Sequence, residues 1–295
     1  MTDATAWPFH PGEREAQALA GEGSSGGAIR DVMPDQHRRF FEALPFVVVA
    51  ATDHGWPVAT VWTGPPGFLR SPDPRTLRIA GVPDPADPAS AAFVPDAPFG
   101  LLGIELATRR RNRANGAIAA VDPGGITVAI RQSFGNCPRY IHPRDVVAAA
   151  ADPAPAERFE GIDRDAAAAI AAADTFFVAT AARTGEPTGG VDISHRGGPP
   201  GFVRVEGNVL TIPDYPGNRY FNTLGNLVSE PRAALVFVDF ARGDVLHVQG
   251  SVQIQWHGPE VDALPGAERL WRVRVEHGWR RRGALALRWL AARSR

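Results

Sequence analysis

The chain contains no lysine: all 31 basic residues among its 295 are arginine. That excludes a Walker-type phosphate loop, which needs Lys, and a Schiff-base lysine of the kind pyridoxal phosphate chemistry uses. Any phosphate must be gripped by Arg, backbone N–H groups or hydroxyls. A single cysteine, Cys137, excludes an internal disulfide framework and any multi-cysteine zinc or iron–sulfur site. No metal is therefore expected, and a reducing cytoplasm is the simplest home. No apolar run reaches the ~18 residues a membrane-spanning helix needs. Residues Met1 to His10 carry Asp3 and lack the basic start of a secretory signal, so no membrane partner is expected. The net charge of −1 argues against a generic nucleic-acid binder.

What is present is a globular composition, 44% apolar and 21% charged, unusually rich in Gly (31) and Pro (27). That favours many turns and short strands over long helices. A repeat runs through it. The stretch from Phe46 and the stretch from Phe176 match at Phe46/Phe176, Gly55/Gly185, Pro57/Pro187 and Val61/Val191, and Gly-Pro-Pro-Gly-Phe recurs at Gly64–Phe68 and Gly198–Phe202. Two copies of one supersecondary unit are expected.

Each copy reads as four strands, a helix and two strands. Many short antiparallel strands of this kind close into a small barrel. In the second copy Thr175–Ala182 and Thr188–Ser194 read as strands around an Arg183–Glu186 turn, and Gly207-Asn208 as a hairpin turn. A helix is expected over Asn218–Ser229, and a last hairpin over Arg232–Phe240 and Asp244–Trp256. Asp35–Leu44 and Asp163–Ala173 read as leading helices. Expected divisions are an N-terminal arm (1–34), a first unit (35–144), an Ala/Pro-rich linker (145–162), a second unit (163–258) and a basic extension (259–295). In that extension, Ala284–Arg295 reads as an amphipathic helix.

Several strings carry a family likeness: Phe9–Glu13, Met33–Arg38, Gly64–Phe68, Ser133–Ile141, Asp192–Gly197, Ile212–Arg219 and Leu224–Leu227. Together they resemble the pyridoxamine 5′-phosphate oxidase-like superfamily of FMN-binding split barrels. More narrowly, they are similar to the branch of predicted flavin-nucleotide-binding proteins with two tandem units. The resemblance implies a mostly β fold of two split barrels, FMN as cofactor, and a site between two barrels. In the superfamily that site usually lies at a homodimer interface. Here two barrels in one chain can form it as a pseudo-dimer, or the chain can dimerise.

Read physically, Asn218 and Arg219 sit at an expected helix start after Pro216-Gly217. There, backbone N–H groups and the helix dipole favour phosphate, and the resemblance places phosphate at this turn. An ordinary surface Arg is the plain alternative. Arg204 shares a strand face with Phe202 and either snorkels or enters a polar pocket. Asp192–Gly197 reads as an inserted polar loop. Asp192 and Ser194 would meet the ligand there, with Arg196 or His195 stabilising a reduced flavin. His195 is also the candidate catalyst, as a general acid or base, or a loop histidine without a role. Asn136 and Arg139 would reach the same cleft. Cys137 reads as packing rather than nucleophile, with Pro138 as a helix start. In the first copy Phe99–Leu102 stands where the Gly-Asn-Arg turn is expected, so one FMN site per chain is expected. Arg109–Arg113 reads either as an anion-binding cluster or as a solvated helix end.

Three functions compete. The first is an FMN-dependent oxidoreductase acting on a small molecule, its electrons coming from a diffusible donor such as NAD(P)H. The second is a non-catalytic flavin carrier. The third is a haem- or deazaflavin-binding split barrel. Pyridoxamine phosphate oxidation itself is disfavoured, because no Arg-x-His tract is recognisable near Trp271–Arg274 and Trp279.

Overall fold

The computed structural model describes residues 8–81, 83–182 and 189–292. Helix α1 (Pro11–Ala20) and helix α2 (Asp35–Ala43) precede strands β1 (Phe46–Asp53), β2 (Trp56–Thr63), β3 (Leu69–Asp73) and β4 (Thr76–Ala80). A 3₁₀ turn (Pro88–Ala92) leads to β5 (Pro98–Glu105), β6 (Arg110–Asp122) and β7 (Gly125–Gly135). After β8 (Arg144–Ala148) and β9 (Glu157–Glu160), helix α3 (Arg164–Ala172) opens the second series. It comprises β10 (Thr175–Ala181), β11 (Val191–Gly197), β12 (Arg204–Glu206), β13 (Val209–Asp214), α4 (Asn222–Ser229), β14 (Arg232–Asp239) and β15 (Asp244–Gln255). Short α5 (Pro259–Asp262), β16 (Arg269–Arg281) and β17 (Leu287–Ala291) complete the chain.

The sheets run β2-β1-β5-β6-β7-β4-β3 and β11-β10-β14-β15-β16-β13-β12, with β9 added to β16. Strand for strand the orders are the same. The fold is mostly β and agrees with the split-barrel expectation. Among the described residues no helix is long and apolar enough to cross a membrane.

Strands β1 and β10 explain how the units meet. Both are almost continuously apolar, as strands buried on both faces must be. Val47, Val49 and Ala51 face the first barrel's core, and Phe176 and Val178 face the second's. Phe46, Val48 and Ala50 share a third core with Phe177, Ala179 and Ala181. Phe46 and Phe176 thus lie on opposite kinds of face and are not equivalents. The loop hydrogen bonds fix the register: the Gly64 N–H donates to Pro45, and the Gly198 N–H donates to Asp174. Pro45 therefore corresponds to Asp174, and Val47 to Phe176. A one-residue shift exchanges the faces of a strand, which identity matching alone does not detect.

Several local expectations change. The 145–162 stretch holds β8 and β9, and β8 pairs with β17. Within the expected C-terminal helix, Leu287–Ala291 therefore form a strand. The basic segment after Glu268 alternates buried Trp271, Val273 and Val275 with Arg272, Arg274 and Glu276. This is the period of a strand, and β16 sits inside the second sheet, between β15 and β13. Phe99–Leu102 lies in β5, and the Arg109–Arg113 cluster leads into β6 rather than ending a helix. The Arg183–Glu186 turn lies outside the described residues.

Candidate functional site

Three elements converge where the units meet. From the first unit, β6 carries Arg111, Arg113 and Asn115 at alternate positions, on one face. From the second, edge strand β11 carries Asp192, Ser194, His195 and Arg196. These residues lie in a strand rather than in the inserted loop expected. Asp192, Ser194 and His195 are buried and Arg196 is half-buried. The third element is the turn before α4. Arg219 and Phe221 adopt positive φ of 63° and 62°, so the helix starts at Asn222 rather than Asn218. Neither residue type favours that left-handed region, and the expected helix start misses it for this reason.

The polar contacts cross between units. Arg113 donates from Nη1 to Asp192 at 2.6 Å and to Asn222 Oδ1 at 3.3 Å, and Asn115 donates to Asp192 at 3.0 Å. The guanidinium of Arg113 lies over the Phe134 ring. Ser194 and Thr223 share a hydroxyl hydrogen bond of 2.8 Å. Asn222 also donates to Glu13 of α1. Arg111 donates to the Cys137 carbonyl at 3.0 Å, to Cys137 Sγ at 3.7 Å and to Nδ1 of His195 at 2.8 Å, so Cys137 holds Arg111 through both its backbone and its sulfur. Pro138 starts no helix.

The electrostatics follow from burial. No carboxylate among the described residues pairs with Arg111, and burial pulls its pKa down to about 10. Burial and then the Arg111 charge hold His195 well below the ordinary imidazole range. Arg111 can only donate, so His195 accepts at Nδ1 and carries its proton on Nε2. An imidazole kept neutral, with its lone pair already engaged, is not poised to exchange a proton.

Of the residues singled out from the sequence, Ser194, His195, Arg196, Asn218 and Arg219 line this cleft, while Asp192 lies beside it, paired with Arg113, and Asn136 is linked to it through Asn218. Asn218 donates to Asn136 at 3.2 Å. Arg196 approaches Asp214 at 3.6 Å. Arg219 is engaged by Glu22 and, at 2.5 and 2.8 Å, by Glu268. Arg139 is exposed. Arg204 lies exposed on β12, away from the cleft lining, with Phe202 ahead of that strand. The sequence reading left Arg111 and Arg113 inside an unresolved cluster, and it missed Thr223 and Asn222. The Arg-x-Arg-x-Asn alternation of β6 was the available signal.

The cleft is open to solvent and its cavity volume is small, about 90 Å³. Tyr140 stacks on Tyr215 at the rim, 5.3 Å between centroids. Five buried polar atoms of site residues have no partner among the described residues: the donors Arg113 Nε, Asn136 Nδ2, His195 Nε2 and Arg196 Nε, and one acceptor, Asn115 Oδ1. Donors outnumber acceptors four to one. A ligand rich in acceptors and negatively charged fits that demand, as the phosphate, ribityl chain and carbonyl-bearing ring of a flavin nucleotide do.

Residues 162–292 match the family described as Pyridoxamine 5′-phosphate oxidase. A comparison with curated proteins found no match. Solved structures similar to parts of the chain include HupZ of Group A Streptococcus (17% identity, covering 39% of this chain and 90% of HupZ, TM-score 0.31). A candidate 5-nitroimidazole antibiotic resistance protein from Bacteroides thetaiotaomicron is 11% identical over 47% of this chain and 92% of its own, with TM-score 0.32. A FAD-binding protein from Mesorhizobium loti is 10% identical over 43% of this chain and 97% of its own, with TM-score 0.29.

Proposed function

Because the chain belongs to the pyridoxamine 5′-phosphate oxidase-like superfamily, we propose that it binds a flavin nucleotide, FMN, in the cleft between its two units and serves as an FMN-dependent oxidoreductase on a small molecule. The observation that carries the binding is the excess of buried donors without partners among the described residues, four against the single acceptor Asn115 Oδ1. Burying an unpaired donor costs about 1–3 kcal/mol, and a ligand of acceptors removes that cost at several atoms together.

In this reading Arg111 and Arg113 supply the positive charge, and Asn136 and Arg196 add donors. Ser194 and Thr223, at the start of α4, supply hydroxyls. His195 holds Arg111 in place from behind and presents Nε2–H as a donor. The flavin, when bound, supplies hydride chemistry. The chain's own share is to bind and orient it, and to exclude water from the side walled by the first turn of α4. His195 offers no lone pair to a haem iron, since Arg111 takes Nδ1 and Nε2 bears the proton. That favours flavin over haem in the same fold.

The test is the visible spectrum of the purified protein, with the released chromophore identified by mass. FMN near one per chain supports the reading. A Soret band, or a colourless protein that takes up no added FMN, overturns it. Reduction of bound flavin by NADH or NADPH, with reoxidation by a substrate, supports the oxidoreductase. Binding and exchange of FMN without turnover would make the protein a carrier.

A further inference from the structure

The cleft has a counterpart across the shared core. In the matched ladders, Val47 pairs with Gly103 as Phe176 pairs with Phe237, and Leu102 pairs with Arg113 as Val236 pairs with His247. His247 therefore takes the place of Arg113. Trp279, opposite His247, takes the place of Phe134, opposite Arg113. On the edge strands, Thr63 pairs with Phe46 and Gly197 with Thr175. Thr60, Val61 and Trp62 thus stand where the open cleft has Ser194, His195 and Arg196.

The stacking is preserved as well: Arg113 lies over Phe134, and His247 lies on Trp279 with centroids 4.5 Å apart. The counterpart differs in what fills it. Asp87, 4% exposed, accepts from Thr60 Oγ1 at 2.5 Å and from Trp279 Nε1 at 3.2 Å. It also accepts from the Ala89 N–H at 3.0 Å. Arg281 Nη1 lies 3.5 Å from it. These side-chain donors come from both units, as do those of the open cleft. Where Thr60 meets a carboxylate, its counterpart Ser194 meets the Thr223 hydroxyl.

We propose that Asp87 is a built-in anion: its carboxylate occupies, in the counterpart cleft, a binding site for a small carboxylate-like anion, and so closes that cleft to ligands. A buried carboxylate needs several donors, and this cluster supplies them from two strands, β2 and β16, and a turn. Trp62, packed between Phe93 and Phe99, fills the space that Arg196 leaves in the open cleft. The consequence that one cleft per chain remains for flavin rests on the function proposed above. The self-occupied site does not.

The test removes the carboxylate and offers one in solution. Thermal midpoints of wild-type, Asp87→Ala and Asp87→Ser proteins are compared in sodium formate and in sodium chloride, each at about 0.1 M. Both variants should melt lower than wild type in chloride. Formate should raise their midpoints over chloride by about 2–4 °C, the shift for a site filled well above half-saturation in a chain of this size. Wild type should gain less, only what formate supplies at the open cleft that all three proteins share. Asp87→Ser keeps an oxygen that can cap the Ala89 N–H, and so guards against loss of the Ala protein through folding alone. A gain in the variants no larger than that of wild type overturns the proposal, as does failure to recover either variant in formate. Flavin content is read on the same wild-type sample. Its absence would count against the function while leaving the formate result to stand or fall by itself.

Discussion

Arg111 of the first unit donates to Nδ1 of His195 in the second at 2.8 Å, joining the two halves of the chain through a cation that pairs with no carboxylate among the described residues. A buried guanidinium without a counter-ion is costly to the empty protein and valuable to an anionic ligand. Arg111→Met should therefore lower flavin affinity about 10–100-fold, the worth of one charge-assisted hydrogen bond. It should leave the midpoint of the ligand-free protein unchanged or raised. Fluorescence titration with FMN beside a thermal melt reads both. A large loss of stability with unchanged affinity would make Arg111 structural.

Arg219 makes the contrasting case. Its guanidinium is shared between Glu22 and Glu268, at 30% exposure, and Glu268 holds it charged. Phosphate would have to displace those carboxylates. Arg219→Ala should cost flavin affinity less than Arg111→Met, about threefold or less, and stability about 0–1 kcal/mol, as half-exposed ion pairs do. The same titration decides it: an equal or larger affinity loss at Arg219 would move the anion to the turn before α4.

How far this architecture can be read from the residues depends on which signal is asked. The strand pairs around Gly207-Asn208 and Ala241–Gly243, and helices α2 and α3, follow from turn chemistry and periodicity and stand where expected. The arginine-rich strands β6 and β16 were misread because Arg was weighed as a surface residue. Arg111 and Arg113 alternate with Asn112 and Ala114, and Arg272 and Arg274 with Val273 and Val275, and that alternation was the better guide. The site was legible as a set of polar strings. It was not legible as an arrangement, because Arg111 and His195 are 84 positions apart. Nor does composition announce that Arg219 and Phe221 adopt positive φ and delay α4.

Helix α1 meets α4 at two glycines. A Cβ on Gly12 would stand 2.4 Å from the Gly225 carbonyl oxygen, and one on Gly225 would stand 2.4 Å from the Glu13 Cα. Real Cβ atoms do not approach backbone so closely, and neither backbone can yield without shifting a helix. Gly12→Ala should lower stability by about 1–3 kcal/mol. It should also weaken flavin binding, because α1 carries the Glu13 that Asn222 contacts. Chemical denaturation checks the first effect and titration the second. Wild-type stability in Gly12→Ala would mean that α1 is not seated on α4.

Glu13 gives the chain an inverted pH response. It is 5% exposed, and burial raises its pKa to about 8, outweighing the lowering by the Asn222 hydrogen bond. An unfolded carboxyl titrates near 4.5. Between those values the unfolded chain has released a proton that the folded chain still holds, so stability falls as pH rises. The slope approaches about 1.4 kcal/mol per pH unit and flattens above about 8. A salt-bridged carboxylate does the opposite and loses its contribution on acidification. Glu13→Gln imitates the protonated acid and lacks the slope. The two proteins should therefore be close in stability near pH 5 and diverge toward pH 8, with the Gln variant the more stable there. Urea denaturation across pH 5–9 measures the divergence, and parallel curves would show that Glu13 is ionised in the folded chain and held by charge rather than by burial.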